Sequence, residues 1–251
     1  MYRLLLAAAL LASTLISAEP WRFEPRHIEE KIPGCDDPKQ GCVHAEFNYL
    51  EAVGGSPTAR ERVNTAIRDL VLSRPGDSLN LTPAEYAKHF VATYEKVKRE
   101  GKSLSQRWSL SKTLKVLRDA PPVLCIEYSE ESYTGGAHGN FGTQYLNFDA
   151  ATGERVKLRV IVKDEEVTAL TSIAEAHFRS VRSIAPGADL KQAGFLFADN
   201  RFQLNENFGL TATELLFLYN AYEIGPYSLG PTTIAIPFSE IRDMLRPGFL
   251  P

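Results

Sequence analysis

The amino-acid sequence predicts an α+β fold in which antiparallel strands pack against several helices. Three observations carry that expectation. Two amphipathic helices with start signals stand together in the first hundred residues, the hydrophobic period then changes to two from Gln106 onward, and a single long helical pattern interrupts the strand and turn material of the C-terminal half. No repeat of 20 to 50 residues and no low-complexity linker divides the chain, so one domain over residues 19–251 is expected, with "GKSLS" at 101–105 as its only soft boundary.

Each element has a local cause. "VHAEFNYLEA" alternates like a strand, and "SPTARERVNTAIRDLVLSRPG" then reads as a helix, with Ser56 as cap and Pro57 at its first position. Val63, Ala66, Ile67, Leu70 and Val71 form its apolar stripe, Arg60, Arg62, Arg68 and Asp69 face away, and Pro75 and Gly76 stop it. In the second helix Thr82 and Glu85 have capping-box spacing, and Tyr86, Phe90, Tyr94 and Val97 supply the buried face. Trp108, Leu110, Leu114 and Val116 alternate with polar residues in a half-buried strand, which Pro121 and Pro122 break and "VLCIEYSEESY" resumes. "TQYLNFDAATGERVKLRVIV" reads as a hairpin turning at Thr152 and Gly153. A third helix, capped by Asp164, is expected to bury Val167, Leu170, Ile173, Ala174, Phe178 and Val181. Residues 195–237 are aromatic strand and loop material, closed by a short helix starting at Pro237.

The ends and the composition restrict the function. "MYRLLLAAALLASTLISAEP" joins Arg3 to an apolar run and then to small residues, the pattern of an export signal with cleavage expected after Ala18. That run is too short for a spanning helix, which needs about 20 apolar residues, and no later stretch qualifies. A periplasmic or secreted protein is therefore expected, with no membrane span after cleavage. With 28 Lys and Arg against 31 Asp and Glu the chain is mildly acidic, which argues against nucleic acid as a partner. Cys35 and Cys42 flank a Pro and Gly turn, and in an exported chain that spacing predicts a disulfide; the competing zinc site lacks two further ligands nearby. Cys125 sits in an apolar strand, as a buried inert thiol would.

"SYTGGAHGNF", residues 132–141, falls between two strands. Its glycines at 135, 136 and 139 lack dinucleotide spacing, and no helix follows to hold a phosphate. His27, His44, His89, His138 and His177 are scattered without a helical-turn pair, so no metal and no cofactor is expected. His89 lies beside an apolar face and reads as a packed or partly exposed histidine, and His177, on or beside the stripe of the third helix, as a satisfied core histidine. No G-x-S-x-G elbow is present, and Glu130 and Glu131 alternate across a strand, which makes them poor acid and base partners.

Two stretches together, "SYTGGAHGN" and "NENFGLTATELLFLYNAYEIGPYSLGPTTIAIPFSEI", resemble the domain-of-unknown-function family typified by the extracytoplasmic domain of the anti-sigma factor RsiV, which also accompanies the catalytic domain of the deacetylase PdaC. The match runs through Tyr133, Gly135, Gly136, Ala137 and His138, then through Tyr222, Glu223, Ile224, Gly225, Pro226 and Tyr227, with Gly230 and the start of the "IPFSEI" helix following in family order. A spanning helix with a sigma-binding segment, and a deacetylase domain, have no counterpart in this sequence, so neither activity is implied. What the resemblance implies is a non-enzymatic binding domain of the cell envelope whose ligand is a lysozyme-type protein or a peptidoglycan fragment.

The candidate contacts are Tyr133, His138, Asn140, Tyr222 and Tyr227, since tyrosines offer flat apolar faces with a hydroxyl and a glycine-rich loop exposes its neighbours. Core packing is the plain alternative for each tyrosine, and a hydrogen bond fixing the loop is the alternative for His138. Gly135, Gly136, Gly225 and Pro226 are expected to shape the backbone. A cell-wall hydrolase using His138 as base with Glu223 or Glu127 is the rival function, and a purely structural envelope role is a third.

Overall fold

The structure is a computed structural model that describes residues 20–33, 35, 41–72, 81–101 and 107–249. The export segment at 1–18, the Pro75 and Gly76 stop signal, and residues 102–105 of the soft boundary lie outside the described residues.

Strands β1 (Phe23–Lys31) and β2 (Val43–Ala52) open the chain, followed by helices α1 (Pro57–Leu72) and α2 (Pro83–Arg99). Strands β3 (Trp108–Arg118), β4 (Val123–Tyr133) and β5 (Asn140–Asp149) complete a five-stranded sheet in the order β1-β2-β3-β4-β5. Among the described residues only β2 and β3 pair in parallel, which requires a long crossover, and α1 and α2 form part of it. A short helix α3 (Leu158–Ile161), the long helix α4 (Val167–Val181), strands β6 (Phe208–Leu210), β7 (Glu214–Tyr219) and β8 (Thr232–Pro237), and the short helix α5 (Phe238–Ile241) make up the C-terminal part. The second sheet has the order β6-β7-β8 and is antiparallel throughout. The fold is α+β.

The sheet is buried on both faces along the first half of β4 and the second half of β5, and alternation of side chains along each strand separates two cores. Leu124, Ile126, Leu146 and Phe148 point to the side of α1 and α2, where Val63, Ile67, Phe90 and Tyr94 meet them. Val123 and Cys125 point the other way, into the core formed by α4 and the second sheet. Phe178 of α4 sits inside that second core, in ring contact with Phe195, Phe197, Phe202 and Tyr219 at 4.9 to 6.3 Å. The α2 capping box forms as its spacing predicts: Glu85 donates its N–H to the Thr82 hydroxyl, and the Glu85 carboxylate accepts from the Thr82 N–H at 2.7 Å.

Cys35 and Cys42 are joined by a disulfide, their Cα atoms 5.2 Å apart. Cys125 is fully buried, its sulfur accepts the Leu210 N–H, and burial pushes its thiol pKa up to about 12.

Three expectations are corrected, and one strand appears where none was expected. The segment Phe23–Lys31, which carries no strand pattern in the sequence, forms the edge strand β1. The second arm of the hairpin past Gly153 does not form a strand: Arg155 makes one isolated bridge to Phe148 and the chain then turns into α3. The physical reason is that the outer edge of β5 is already occupied. Asn207 accepts the Tyr145 N–H and donates to the Thr143 carbonyl at 2.9 Å each, and Asn220 brackets Thr143 in the same way at 2.8 and 3.0 Å. Side-chain amides thus replace a strand along that edge. Asp164 does not cap α4; it starts a 3₁₀ turn and pairs with Arg246 at 2.8 Å. Val181, at the helix end, is 56% exposed instead of buried.

Candidate site at the β4–β5 loop

The loop at 134–139 joins β4 to β5, and Gly135 and Gly136 take φ of 103° and 104°, backbone that a side chain rarely tolerates. Tyr133, the last residue of β4, folds over this turn and donates from its hydroxyl to the Gly136 carbonyl at 2.9 Å. The turn aims His138 outward. Its Nδ1 lies 2.9 Å from the Gly139 carbonyl, which can only accept, so Nδ1 carries the proton and Nε2 is left to accept from the Tyr222 hydroxyl at 3.1 Å. Both ring nitrogens are engaged.

A second segment supplies the other half. After β7, the turn at 220–223 is held by Glu223, whose carboxylate accepts the Asn220 N–H at 2.8 Å and the Asn205 amide at 2.7 Å. Gly225 is buried and closely packed: a Cβ there would displace Leu229 Cδ1, 2.6 Å away, and press on the Gly194 carbonyl at 3.2 Å. Pro226 leads into the 3₁₀ turn at Tyr227–Leu229. Tyr227 then stacks on His138 with ring centroids 3.8 Å apart and planes 15° from parallel, and donates to the Gly139 carbonyl at 3.1 Å. Arg182, at the end of α4, clamps the chain leaving this turn by donating to the carbonyls of Leu229 and Pro231 and to the Thr232 hydroxyl.

The two segments, some ninety residues apart, therefore meet as one aromatic patch of His138, Tyr222 and Tyr227, with Phe141 5.6 Å from the Tyr227 ring. Tyr222 is 62% exposed and holds a φ of 70°. A bulky residue in that region is a backbone outlier, and such outliers concentrate at working surfaces. Asn140 lies outside the patch proper, on the rim that separates two depressions. One, of about 280 Å³, opens beside Tyr133, Glu131 and Tyr227. The other, of about 510 Å³, opens along the β5 edge between Glu130, Gln144 and Asn220.

The groups of the rival hydrolase are not joined. His138 bonds Gly139 and Tyr222, Glu223 is spent on Asn205 and Asn220, and Glu127 lies six residues back along β4 from Tyr133, roughly 20 Å away at strand rise. Among the described residues no group of three or more His, Cys, Asp or Glu is arranged to hold a metal, and no helix is long and apolar enough to cross a membrane. His177 is not packed into the core but pairs with Glu240 at 2.8 Å on the surface. Sequence reasoning missed Phe141, Arg182, Asn207 and Asn220. The available signal was the set of asparagines at 205, 207 and 220 inside an otherwise aromatic and aliphatic segment, where an amide without a turn to make needs a partner.

An α+β domain with an exposed aromatic patch at one loop is the class that fold and site define. Two family models match it: "Protein of unknown function (DUF3298)" over residues 160–239, and "Deacetylase PdaC" over residues 38–141. Residues 160–239 thus match the DUF3298 family and residues 38–141 the PdaC family, in agreement with the family that the two motifs pointed to. A DUF3298 family member from Bacteroides fragilis NCTC 9343 is similar in structure, with a TM-score of 0.70, 21% identity, and coverage of 91% of this chain and 94% of that one. A second family protein, from Pseudomonas aeruginosa PAO1, gives a TM-score of 0.62 at 22% identity over 92% of this chain and 97% of that one. At such identities the likeness concerns the fold alone. No curated protein matches the chain.

Proposed function

We propose that this chain is an exported accessory binding domain of the bacterial cell envelope, periplasmic or secreted, that engages a lysozyme-type protein through the aromatic patch without turning its ligand over. One observation carries the reading: an exposed tyrosine, Tyr222, is kept at φ 70° and locked by His138 onto Tyr227. A core would hide such a ring, whereas a preorganised, exposed aromatic cluster is what a protein hot spot requires. Tyr133, through its bond to Gly136, supports the patch from beneath. A peptidoglycan fragment is the second reading, favoured by the depressions on either side of Asn140.

Catalysis is not part of the proposal, because neither ring nitrogen of His138 is open to a substrate and its two candidate carboxylates are engaged or distant. The test is to titrate the mature chain with a purified lysozyme and with a purified muropeptide, at low and moderate salt, and then to assay the recovered glycan. The mildly acidic chain should associate with the basic lysozyme more slowly as salt rises, while a neutral glycan should show little dependence. Absence of binding to both, or cleavage or deacetylation of the recovered glycan that His138→Ala abolishes, would overturn the reading.

A further inference from the structure

We propose that the groove over Gly142 is a separate subsite for an uncharged pyranose sugar. For its ligand class this takes up the glycan reading above, but it does not depend on the aromatic patch. The groove is built from three alternate cross-strand pairs, Tyr128 with Gln144, Glu130 with Gly142, and Ser132 with Asn140. All six positions lie on the sheet face that carries Leu124 and Ile126. The β5 member of the central pair has no side chain. Nothing in the fold demands that: a Cβ at Gly142 would meet only Asn220 Oδ1, at an ordinary 3.9 Å, and its φ is not positive. Glycine inside a strand weakens it, and one that neither turns the chain nor relieves crowding marks close approach by something else. The space above it is the depression of about 510 Å³.

The chemistry around that floor suits hydroxyl groups. The side chains of Ser132, Asn140 and Gln144 make no hydrogen bond among the described residues, and each can both donate and accept. Asn140 and Gln144 flank Gly142 at about 6.7 Å along the strand, so one ring seated over the glycine reaches both. Glu130 is charge-compensated within the protein. Its Oε2 accepts from the Tyr128 hydroxyl at 2.6 Å and from the Lys112 ammonium at 3.0 Å, and Lys112 is itself wholly buried, 5.0 Å from the Tyr86 ring centre. Oε1 has no partner among the described residues and serves as an acceptor for a hydroxyl. An anion finds no cationic side chain lining the groove, and a cation finds a carboxylate that is already paired.

The experiment titrates the mature chain with chitotriose, cellotriose and, as the charged control, a uronic-acid trisaccharide. Gly142→Val places a β-branched side chain where strand geometry and space accept it, and fills the floor. Gln144→Ala removes an exposed amide. A neutral trisaccharide should bind the unaltered chain, and both variants should weaken it at least tenfold with an unchanged melting midpoint and unchanged lysozyme binding. Tyr222→Ala should leave the sugar affinity as it was. Failure of every neutral sugar to bind, equal affinity in Gln144→Ala, or a preference for the uronic acid overturns the inference while leaving the lysozyme titration to judge the patch. Equal loss of sugar binding in Tyr222→Ala also overturns it, because the contact would then belong to the patch.

Discussion

Tyr222 permits a prediction in which stability and binding part company. Its φ of 70° costs an L-residue with a side chain roughly 1 to 2 kcal/mol relative to glycine. Against that cost stand two contacts, the hydrogen bond to His138 at 3.1 Å and ring packing on Tyr227 at 5.5 Å. With the ring 62% exposed, each is worth the lower end of the usual range, about 0.5 kcal/mol. Tyr222→Ala loses both contacts and keeps the strained backbone, so it should destabilise the domain by about 1 kcal/mol. Tyr222→Gly loses the same contacts but releases the strain, less about 0.4 to 1 kcal/mol for the added freedom of the unfolded chain. The glycine variant should therefore be more stable than the alanine variant, by about 0.8 kcal/mol at the middle of these ranges, or roughly 2 °C in melting midpoint for a chain of this size. Paired thermal and urea unfolding of the two variants measures it. Both should lose lysozyme binding alike. An alanine variant at least as stable as the glycine variant would show that the tyrosine backbone is not strained, and would remove the main reason for regarding Tyr222 as held in place for a ligand.

Other perturbations give distinct readouts. Replacing Cys35 and Cys42 together by serine opens a loop of sequence separation 7 and should cost about 2.5 kcal/mol in the chain-entropy account, seen as a lower urea midpoint; an unchanged midpoint contradicts it. Cys125 should resist thiol labelling until the chain unfolds. Because burial raises its folded pKa from 9.0 to about 12, its contribution is complete below about pH 9 and is lost as pH rises toward 12, at up to ~1.4 kcal/mol per pH unit. Unfolding from pH 8 to 10.5 should thus fall more steeply for the unaltered chain than for Cys125→Ala, and parallel curves would refute this. Asn207→Ala removes two hydrogen bonds from the β5 edge and should cost about 2 kcal/mol, whereas a loss under about 0.5 kcal/mol would mean that the edge is not held by this amide. Phe178→Ala empties the centre of the second core and should cost about 3 to 5 kcal/mol; less than about 2 kcal/mol would show that the surrounding rings close over the gap.

Features decided locally were legible in the sequence. The Thr82 and Glu85 capping box, the Cys35 to Cys42 bond and the alternation of β3 involve neighbours in sequence, and each stands in the structure. β1 escaped notice because it is an edge strand carrying Pro25, Arg26, Glu29 and Glu30, residues that blunt an exposed edge and erase the alternation that identifies a strand. The false second arm of the hairpin had a reasonable pattern, but side chains 50 to 70 residues away, Asn207 and Asn220, had taken the edge it needed. The site divides in the same way. Gly135 and Gly136 could be placed in a turn from composition alone, yet nothing local brings His138 onto Tyr227 or sets Tyr222 over both. Only the paired motifs of the family hinted that the segments belong together, and the clamp by Arg182 has no sequence signature.

The central claim, that the β4–β5 loop and the 220–229 segment form one ligand-binding surface, is tested most directly by hydrogen exchange on the unaltered mature chain, free and saturated with a lysozyme. Protection on binding should appear together at 134–141 and 220–229 and be absent from α1 and α2, which cover the opposite face of the sheet. Protection confined to the α1 and α2 face, or no change in either loop segment at saturation, would contradict it.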